Sequence, residues 1–407
     1  MKKPVLTLKT ASKGYTLDTH RVKTPEATLQ DVKGLVGCAG ITRVAEITGL
    51  DRLGIPVFTA MRPRAASGAV TVYNGKGFTP QEAEVSAIME AVERFSAEYN
   101  GSDLVACSFW RLKDSFKVLD PSMLIVPWQR HYSEGDELEW AKGVSLTRGG
   151  EVLVPAEAVF HPYARANQLF RTNTNGLAAG NVMEEAVLHA LMELVERDAW
   201  SLFEVDPARS RDLELAGCSC EPLKKALQML DAASIKISLK DISSDVGITT
   251  IAAALDDEVT KDPALLSLGV GTHLMPEIAA LRALTEAVQS RLTTIHGTRE
   301  DTFMAEYARR IGYERMKRLN KKWFLPSQKK VKIEELSRFS SGDFLEDIRY
   351  TLGRLKNAGL DEVIAVDLTR KELGIPAVRV IVPGLEVYAM DRERIGLRLK
   401  SAMKKTI

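Results

Sequence analysis

The sequence is poor in cysteine and in aromatic residues, and it has no excess of charge of either sign. It has 4 cysteines in 407 residues, too few for a disulfide scaffold, and this is typical of a reducing, cytoplasmic compartment. The 55 basic and 54 acidic residues nearly balance. The composition therefore favours neither nucleic acid nor an anionic membrane surface as a partner.

Several sequence signals are also missing. No stretch approaches the roughly 18 uninterrupted apolar residues of a membrane-spanning helix. The first residues are basic but lack the apolar core of a secretion signal, so we expect none. The Gly-x4-Gly-Lys-Ser/Thr phosphate loop, the Gly-x-Gly-x-x-Gly dinucleotide motif and the His-Glu-x-x-His zinc motif do not occur. A nucleotide would therefore have to bind outside the common nucleotide-binding folds.

What the sequence does contain is a short phrase that occurs twice. The first copy is Ser86-Ala-Ile-Met-Glu90-Ala-Val-Glu93-Arg94, and the second is His189-Ala-Leu-Met-Glu193-Leu-Val-Glu196-Arg197. On a helix, residues three and four apart share a face, so each copy predicts a stripe of carboxylates opposite an apolar face. Carboxylates from two helices are typical ligands of hard cations such as Mg²⁺. The alternative is a pair of solvated helix faces.

A third, degenerate copy places Arg282, Glu286 and Gln289 on one face. Arg94, Arg197 and Arg282 each neighbour a carboxylate stripe, so each is either a bidentate phosphate ligand or a structural partner of its glutamates. Lys76 lies between two glycines just before the first helix, where anions are favoured.

The distribution of elements predicts an α/β fold with internal pseudo-repeats of strand, glycine turn and carboxylate-bearing helix. We expect helices over residues 80–98, 183–203 and 276–295. Strands are expected over 57–61, 69–73 and 265–270, and turns at Asn74-Gly75 and Asn175-Gly176.

These motifs together resemble the signature of the YcaO family. The phrase at 86–94 resembles the first motif, and Asn-Gly-Leu-Ala-Ala-Gly-Asn at 175–181 with Glu-x3-His-x3-Glu-x-x-Glu-Arg at 185–197 resembles the second. Gly-Val-Gly-Thr-His at 269–273 with the phrase at 280–291 resembles the third. The similarity extends from about residue 40 to 386. It implies an N-terminal segment over 1–64 and a YcaO-like ATP-binding domain over 65–407.

The resemblance implies ATP-dependent activation of a peptide backbone amide, whose oxygen is phosphorylated during or after attack by a nucleophile. Its motifs assign Mg²⁺ to Glu90, Glu93, Glu193 and Glu196. They assign ATP to Lys76, Ser86, Arg94, Asn181, Glu185, Arg197, Arg282, Glu286 and Gln289. Ala178 and His189 depart from the pattern of some members, so neither is assigned as a ligand. His189 is either a ligand or a packing residue, and no catalytic residue is identified.

Within the family, residues 14–26 and 40–51 most resemble archaeal members paired with a TfuA-type protein. Those members thioamidate a glycine of the methyl-coenzyme M reductase alpha subunit, a protein of methanogenesis. Azoline-forming members often end in Pro-x-Pro-x-Pro, whereas this sequence ends Leu-Lys-Ser-Ala-Met-Lys-Lys-Thr-Ile. Both features favour a thioamide product.

The expected partners are a peptide or protein substrate and either sulfide or a TfuA-type sulfur donor, since no cysteine lies in a motif. The resemblance also implies a homodimer. Three alternatives remain: an azoline-forming cyclodehydratase, a non-catalytic peptide-docking scaffold, and a carboxylate-bridged metal enzyme without nucleotide.

Overall fold

A computed structural model of the protein describes residues 6–166, 168–299 and 304–406. The strands are β1 (Arg43–Glu46), β2 (Val57–Met61), β3 (Val72–Lys76), β4 (Val105–Ser108), β5 (Glu137–Ser145), β6 (Glu151–Pro155), β7 (Leu177–Ala179), β8 (Arg211–Glu214), β9 (Lys236–Asp241), β10 (Thr250–Asp256), β11 (Ser267–Thr272), β12 (Lys329–Lys332), β13 (Ile364–Asp367) and β14 (Ala377–Ile381). The helices are α1 (Pro25–Lys33), α2 (Pro80–Ala97), α3 (Phe109–Leu112), α4 (Met183–Val205), α5 (Glu221–Ala232), α6 (Pro276–His296), α7 (Met304–Ile311), α8 (Tyr313–Leu319), α9 (Lys321–Phe324), α10 (Phe344–Asn357) and α11 (Leu397–Thr406).

The strands form three sheets. The first has the order β1-β2-β3, and the second has the order β11-β10-β9-β8-β12. The third has the order β4-β5-β13-β14-β7, with β6 also paired to β5. Among the described strands, neighbours pair antiparallel except β8 and β12, which are parallel. The expected mixture of helices and sheets is confirmed, and its sheets are antiparallel or mixed.

The three carboxylate-bearing helices each follow a strand directly: β3 leads into α2, β7 into α4 and β11 into α6. Each helix also contacts the strand that precedes another helix of the set, because α2 packs on β7, α4 on β11 and α6 on β3. The contacts close in a ring, and this ring brings the three helices to one place. That the three units form an internal repeat remains a prediction.

The turn expected at Asn74-Gly75 is wrong, and so are the bounds 69–73 of the preceding strand. Both residues lie inside β3, paired with β2. A Cβ at Gly75 would lie 2.0 Å from the backbone nitrogen of Ala87, because β3 crosses directly under α2. Glycine is needed here for close strand–helix approach rather than for a turn. At the second site the turn is present, and Gly176 has a φ of 80°.

The predicted helices are present, with ends that differ by at most two residues. The start of α2 is defined by a capping box, in which Thr79 Oγ1 accepts from the Glu82 backbone and Glu82 Oε2 accepts from the Thr79 backbone. Pro80 fits the first helical position, where no hydrogen bond is lost. None of the helices formed by the described residues has both the length and the apolar character needed to cross a membrane.

The segment before α1 packs across the ends of the central helices. Tyr15 Oη donates to Glu82 at the start of α2. Lys13 and Asp347 form an ion pair of 2.6 Å in which both side chains are buried. The predicted domain boundary near residue 64 falls between β2 and β3, and the domain division stays a prediction.

Candidate functional site

The acidic stripes of α2 and α4 lie close together. Burial raises the pKa of Glu93 to about 8, with repulsion from Glu193 adding to the rise and Arg94 opposing it. Burial likewise raises the pKa of Glu196 to about 7, against the influence of Arg197. Both shifts indicate carboxylates in a poorly solvated cleft, and the repulsion between Glu93 and Glu193 indicates that the two stripes lie near each other. The cleft remains accessible to solvent, because the Glu93 side chain is 13% exposed.

The third stripe, on α6, adds a carboxylate of different character. Lys76 Nζ donates to Glu286 Oε2 at 2.9 Å. Burial alone would raise the pKa of Glu286, but Lys76, Arg197 and Arg282 outweigh it, so this pKa lies below its usual value. Glu286 is therefore an ionised group held among cations, whereas Glu93 resists ionisation.

Three arginines flank the carboxylates. Arg94 Nη2 lies 3.5 Å from Glu90 Oε1, and Arg197 Nη2 lies 3.5 Å from Glu196 Oε1. Within the described part of the chain, Arg94 Nη1, Arg197 Nε and Arg282 Nε are buried without a hydrogen-bond partner. An unsatisfied buried donor costs about 1–3 kcal/mol, so an anion that accepts these bonds would be stabilised here. These donors fit the oxygens of a polyphosphate.

The carboxylates do not form a finished metal site. Across residues 6–166, 168–299 and 304–406, no three His, Cys, Asp or Glu side chains are grouped to hold an ion. Glu90, Glu93 and Glu196 lie beside arginines instead. Glu93 and Glu196 are nevertheless desolvated carboxylates with other carboxylates nearby, and a divalent cation would neutralise their charge. An oxygen-only donor set fits Mg²⁺.

The remaining predicted residues of α2, α4 and α6 differ in their surroundings. Ser86 is half-buried one turn before Glu90. Gln289 Nε2 donates to the backbone carbonyl of Asn74 at 3.1 Å, so its amide orients β3. Burial, and then Arg282, lower the pKa of His189 well below its usual value. A neutral His189 therefore lies on the cationic side of the site.

Asn181 and Glu185 connect α4 to the N-terminal segment. Glu185 Oε2 accepts from the backbone nitrogen of Val22 at 3.0 Å, and its Oε1 accepts from Asn181 Nδ2 at 3.2 Å. Asn181 Oδ1 accepts from Thr28 Oγ1 at 3.0 Å. These two residues thus anchor the segment before α1 at the edge of the site rather than joining the acidic cluster.

Arg21 lies beside predicted site residues, although the sequence motifs did not indicate it. Its Nε lies 3.6 Å from Glu185 Oε1. Burial is the main cause of the lowered pKa values of Arg282 and His273, and the positive charge of Arg21 lowers both values further. Arg21 therefore lies on the same cationic side as Arg282. No spacing signal could have found it, because it lies far from Glu185 and Arg282 in sequence.

Arg379 is a second residue of this kind. It is only 2% exposed, and burial lowers its pKa to about 9, while Glu193 and Glu93 favour its charge. Its Nε donates to Val159 O, and its other nitrogens donate to the carbonyls of Asn173 and Asn175. A signal existed here, since a lone arginine in the apolar run 377–383 is unusual for a buried strand.

Comparisons with known proteins find relatives that match nearly the whole chain. The sequence model of the family described as "YcaO cyclodehydratase, ATP- and Mg²⁺-binding" matches residues 74–386. An uncharacterized protein of Methanothermobacter thermautotrophicus is 49% identical over 382 residues, which cover 93% of this chain and 98% of that protein. An uncharacterized protein of the tfuA 3′ region of Rhizobium leguminosarum bv. trifolii is 32% identical over 98% of this chain and 96% of its own length.

A solved structure is similar over the same extent. The structure of YcaO from Methanopyrus kandleri bound with AMPPCP and Mg²⁺ has a TM-score of 0.79 and 32% identity, and the match covers 95% of this chain and 98% of that one. The family match begins inside β3 and spans the three carboxylate-bearing helices together with β7 and β11. The chain therefore belongs to the YcaO family, whose cofactors are ATP and Mg²⁺.

Proposed function

We propose that the protein uses ATP and Mg²⁺ to activate a backbone amide of a peptide, and that a sulfide-type nucleophile converts this amide into a thioamide. The observation that carries the proposal is the cleft between α2, α4 and α6, which combines desolvated carboxylates with buried guanidinium nitrogens that lack a hydrogen-bond partner. ATP supplies the phosphoryl group that makes the amide oxygen a leaving group. The residues of the chain bind, orient and neutralise charge.

In this proposal the residues have two kinds of role. Glu90, Glu93, Glu193 and Glu196 hold Mg²⁺. The nucleotide is lined by Lys76, Ser86, Arg94, Asn181, Glu185, Arg197, Arg282, Glu286 and Gln289. We add Arg21, because its charge lies beside Arg282 and His273. A partly exposed cleft allows a polyphosphate to enter while its walls limit screening by water.

Thioamide formation on a glycine of methyl-coenzyme M reductase is the favoured reaction. Two relatives support this choice: one is from Methanothermobacter thermautotrophicus, and another is encoded in a tfuA 3′ region. The sulfur would come from sulfide or from a TfuA-type partner. The alternative is azoline formation from a Cys, Ser or Thr side chain of the substrate, supported by the family description as a cyclodehydratase. A non-catalytic docking scaffold is less favoured, because all four glutamates are present.

The proposal includes a homodimer in the cytoplasm, where ATP and Mg²⁺ are available. Two-fold dimers are the commonest soluble assemblies. Light scattering over a concentration series should give twice the 44.9 kDa chain mass. A monomer mass at every concentration would contradict this part.

Mass spectrometry separates the two reactions. With ATP, Mg²⁺ and sulfide, a glycine-containing substrate peptide should gain about 16 Da when oxygen is replaced by sulfur, whereas an azoline would lose about 18 Da as water. Glu93→Gln should abolish the product, while Glu84→Gln, on the same helix but off the stripe, should not. A product that has lost water and gained no sulfur would contradict thioamide formation and support the azoline-forming alternative. If Glu93→Gln is fully active, the Mg²⁺-binding role proposed for the four glutamates is wrong.

A further inference from the structure

One of the three arginines that flank the carboxylates has an aromatic neighbour. The guanidinium carbon of Arg197 lies 5.4 Å from the centre of the Trp200 ring. This is within the roughly 6 Å over which a cation is attracted to a ring face, and tryptophan is the strongest partner of this kind. The two residues are three apart on α4, so they share a face of the helix.

The other two arginines lack such a neighbour. Among the described residues, neither Arg94 nor Arg282 lies over an aromatic ring. The two copies of the repeated phrase differ at this point, because Ala97 follows Arg94 at the spacing at which Trp200 follows Arg197. The aromatic contact is therefore a feature of the second copy alone.

Polar contacts within the chain do not fix the orientation of the Arg197 side chain. Its Nη2 lies 3.5 Å from Glu196 Oε1, which is longer than the roughly 2.7–3.2 Å of an N–H···O hydrogen bond. Within the described part of the chain, its Nε has no hydrogen-bond partner. A long side chain without directional bonds retains rotamer freedom, which it must lose when it binds a ligand. The Trp200 ring is the contact that restricts this freedom.

The Trp200 ring is itself held in place. Its Nε1 donates to Glu204 Oε1 at 3.1 Å. The other oxygen of Glu204 accepts from Lys322 at 2.6 Å and from Arg392 at 2.8 Å. On α9, the ring of Trp323 meets the Trp200 ring edge to face, with 5.9 Å between their centres, and Trp323 is buried. Three separate parts of the chain thus fix the ring.

A guanidinium on a fixed ring is prepared to bind an anion. The attraction to the ring does not require a hydrogen bond from the guanidinium, so it leaves the donors of Arg197 available. The Arg197 side chain is 16% exposed, so part of it remains open to a ligand. Ordering a side chain before binding removes part of the entropy cost of binding. The ring should therefore increase the affinity of Arg197 for an anion.

We propose that Trp200 is a positioning residue for the nucleotide, because its ring holds the Arg197 guanidinium in the orientation in which exposed N–H groups meet the phosphate oxygens. The inference rests on the proposed function and extends the description of its nucleotide site. Trp200 acts through Arg197 and not through a nucleotide contact of its own.

Calorimetry with AMPPCP and Mg²⁺ tests this role in variants of Trp200. Trp200→Met removes the ring but keeps a long, adaptable apolar side chain. It should raise the Kd of AMPPCP about tenfold, which corresponds to about 1.4 kcal/mol. Trp200→Phe retains an aromatic face and loses only the N–H donated to Glu204, so its Kd should stay within about threefold of the wild-type value. Trp200→Leu is a second ring-free variant and should behave like Trp200→Met.

Phe203→Leu is the matched control for packing. Phe203 is fully buried, and its ring centre lies 4.7 Å from that of Trp323, the same ring that Trp200 contacts. Among the described residues, the Arg197 guanidinium lies over the Trp200 ring and not over the Phe203 ring. This variant should lower Tm, because it removes buried volume, and it should leave the Kd of AMPPCP unchanged.

The outcomes separate positioning from general stability. An unchanged Kd in the ring-free variants overturns the role of Trp200. An equal rise in Phe203→Leu also overturns it, because it would indicate a loss of packing. So does an equal rise in Trp200→Phe, because the ring face would then not be the cause. Failure of the wild type to bind AMPPCP with Mg²⁺ overturns the proposed function itself, and this role with it.

Discussion

Glu93 should make the metal-free protein less stable as the pH rises. Burial, with repulsion from Glu193 and Glu90, raises its pKa from 4.5 to about 8. Below pH 4.5 the carboxyl group is protonated in both the folded and the unfolded state. Between pH 4.5 and about pH 8, Glu93 loses its proton in the unfolded state but keeps it in the folded state. The free energy of unfolding therefore falls as the pH rises through this range. Above about 8 the loss is complete.

The size of the effect follows from the pKa. One pKa unit corresponds to about 1.4 kcal/mol, so ionisation of Glu93 costs the folded state about 3–5 kcal/mol at high pH. Glu93→Gln removes this cost, because the amide stays neutral. The variant should therefore be more stable than the wild type at a pH of about 9, and the difference should shrink toward a pH of about 5.

Urea unfolding in EDTA at the two pH values measures the difference. Glu84→Gln, on the same helix, should show no pH-dependent change relative to the wild type. The same Glu93→Gln variant should lose nucleotide-dependent turnover, so stability and activity should change in opposite directions. A Glu93→Gln protein that is equally or less stable than the wild type at high pH would refute the assignment of a buried, repelled carboxylate.

Three further predictions concern other contacts. Arg21→Gln should weaken AMPPCP binding about tenfold by calorimetry, because Arg21 shares the cationic side of the site with Arg282, whereas the exposed Arg43→Gln should not. Lys13→Met should lower the free energy of unfolding by about 3–5 kcal/mol, because it leaves the buried Asp347 without its ion-pair partner. The double variant Lys13→Met, Asp347→Asn should recover most of the lost stability, and no recovery would contradict a charge-based cause. Gly75→Ala should lower Tm sharply, because its Cβ would lie 2.0 Å from the Ala87 nitrogen, whereas Gly34→Ala, where a Cβ meets no atom, should change little.

The sequence was sufficient for the features that depend on local periodicity. Residues three and four apart share a helix face whatever the tertiary fold, so Glu90 and Glu93, like Glu193 and Glu196, could be assigned to stripes. The capping box of Thr79 and Glu82, which defines the start of α2, is equally local because its two residues are three apart in sequence. The family motifs then indicated which stripes belong together.

Other features depend on contacts between distant parts of the chain. Asn74-Gly75 has the composition of a turn, and only the approach of β3 to α2 shows that its glycine is needed for close packing. Arg21 joins the site because the N-terminal segment binds Glu185, a long-range contact without any spacing signal. Arg197 Nε and Arg282 Nε lack a hydrogen-bond partner only because the surrounding segments bury them. Sequence alone thus determined which side chains share a helix face, because helix geometry is local. The tertiary structure decided which faces meet and which polar atoms remain unpaired, because burial and charge proximity arise only when distant segments pack.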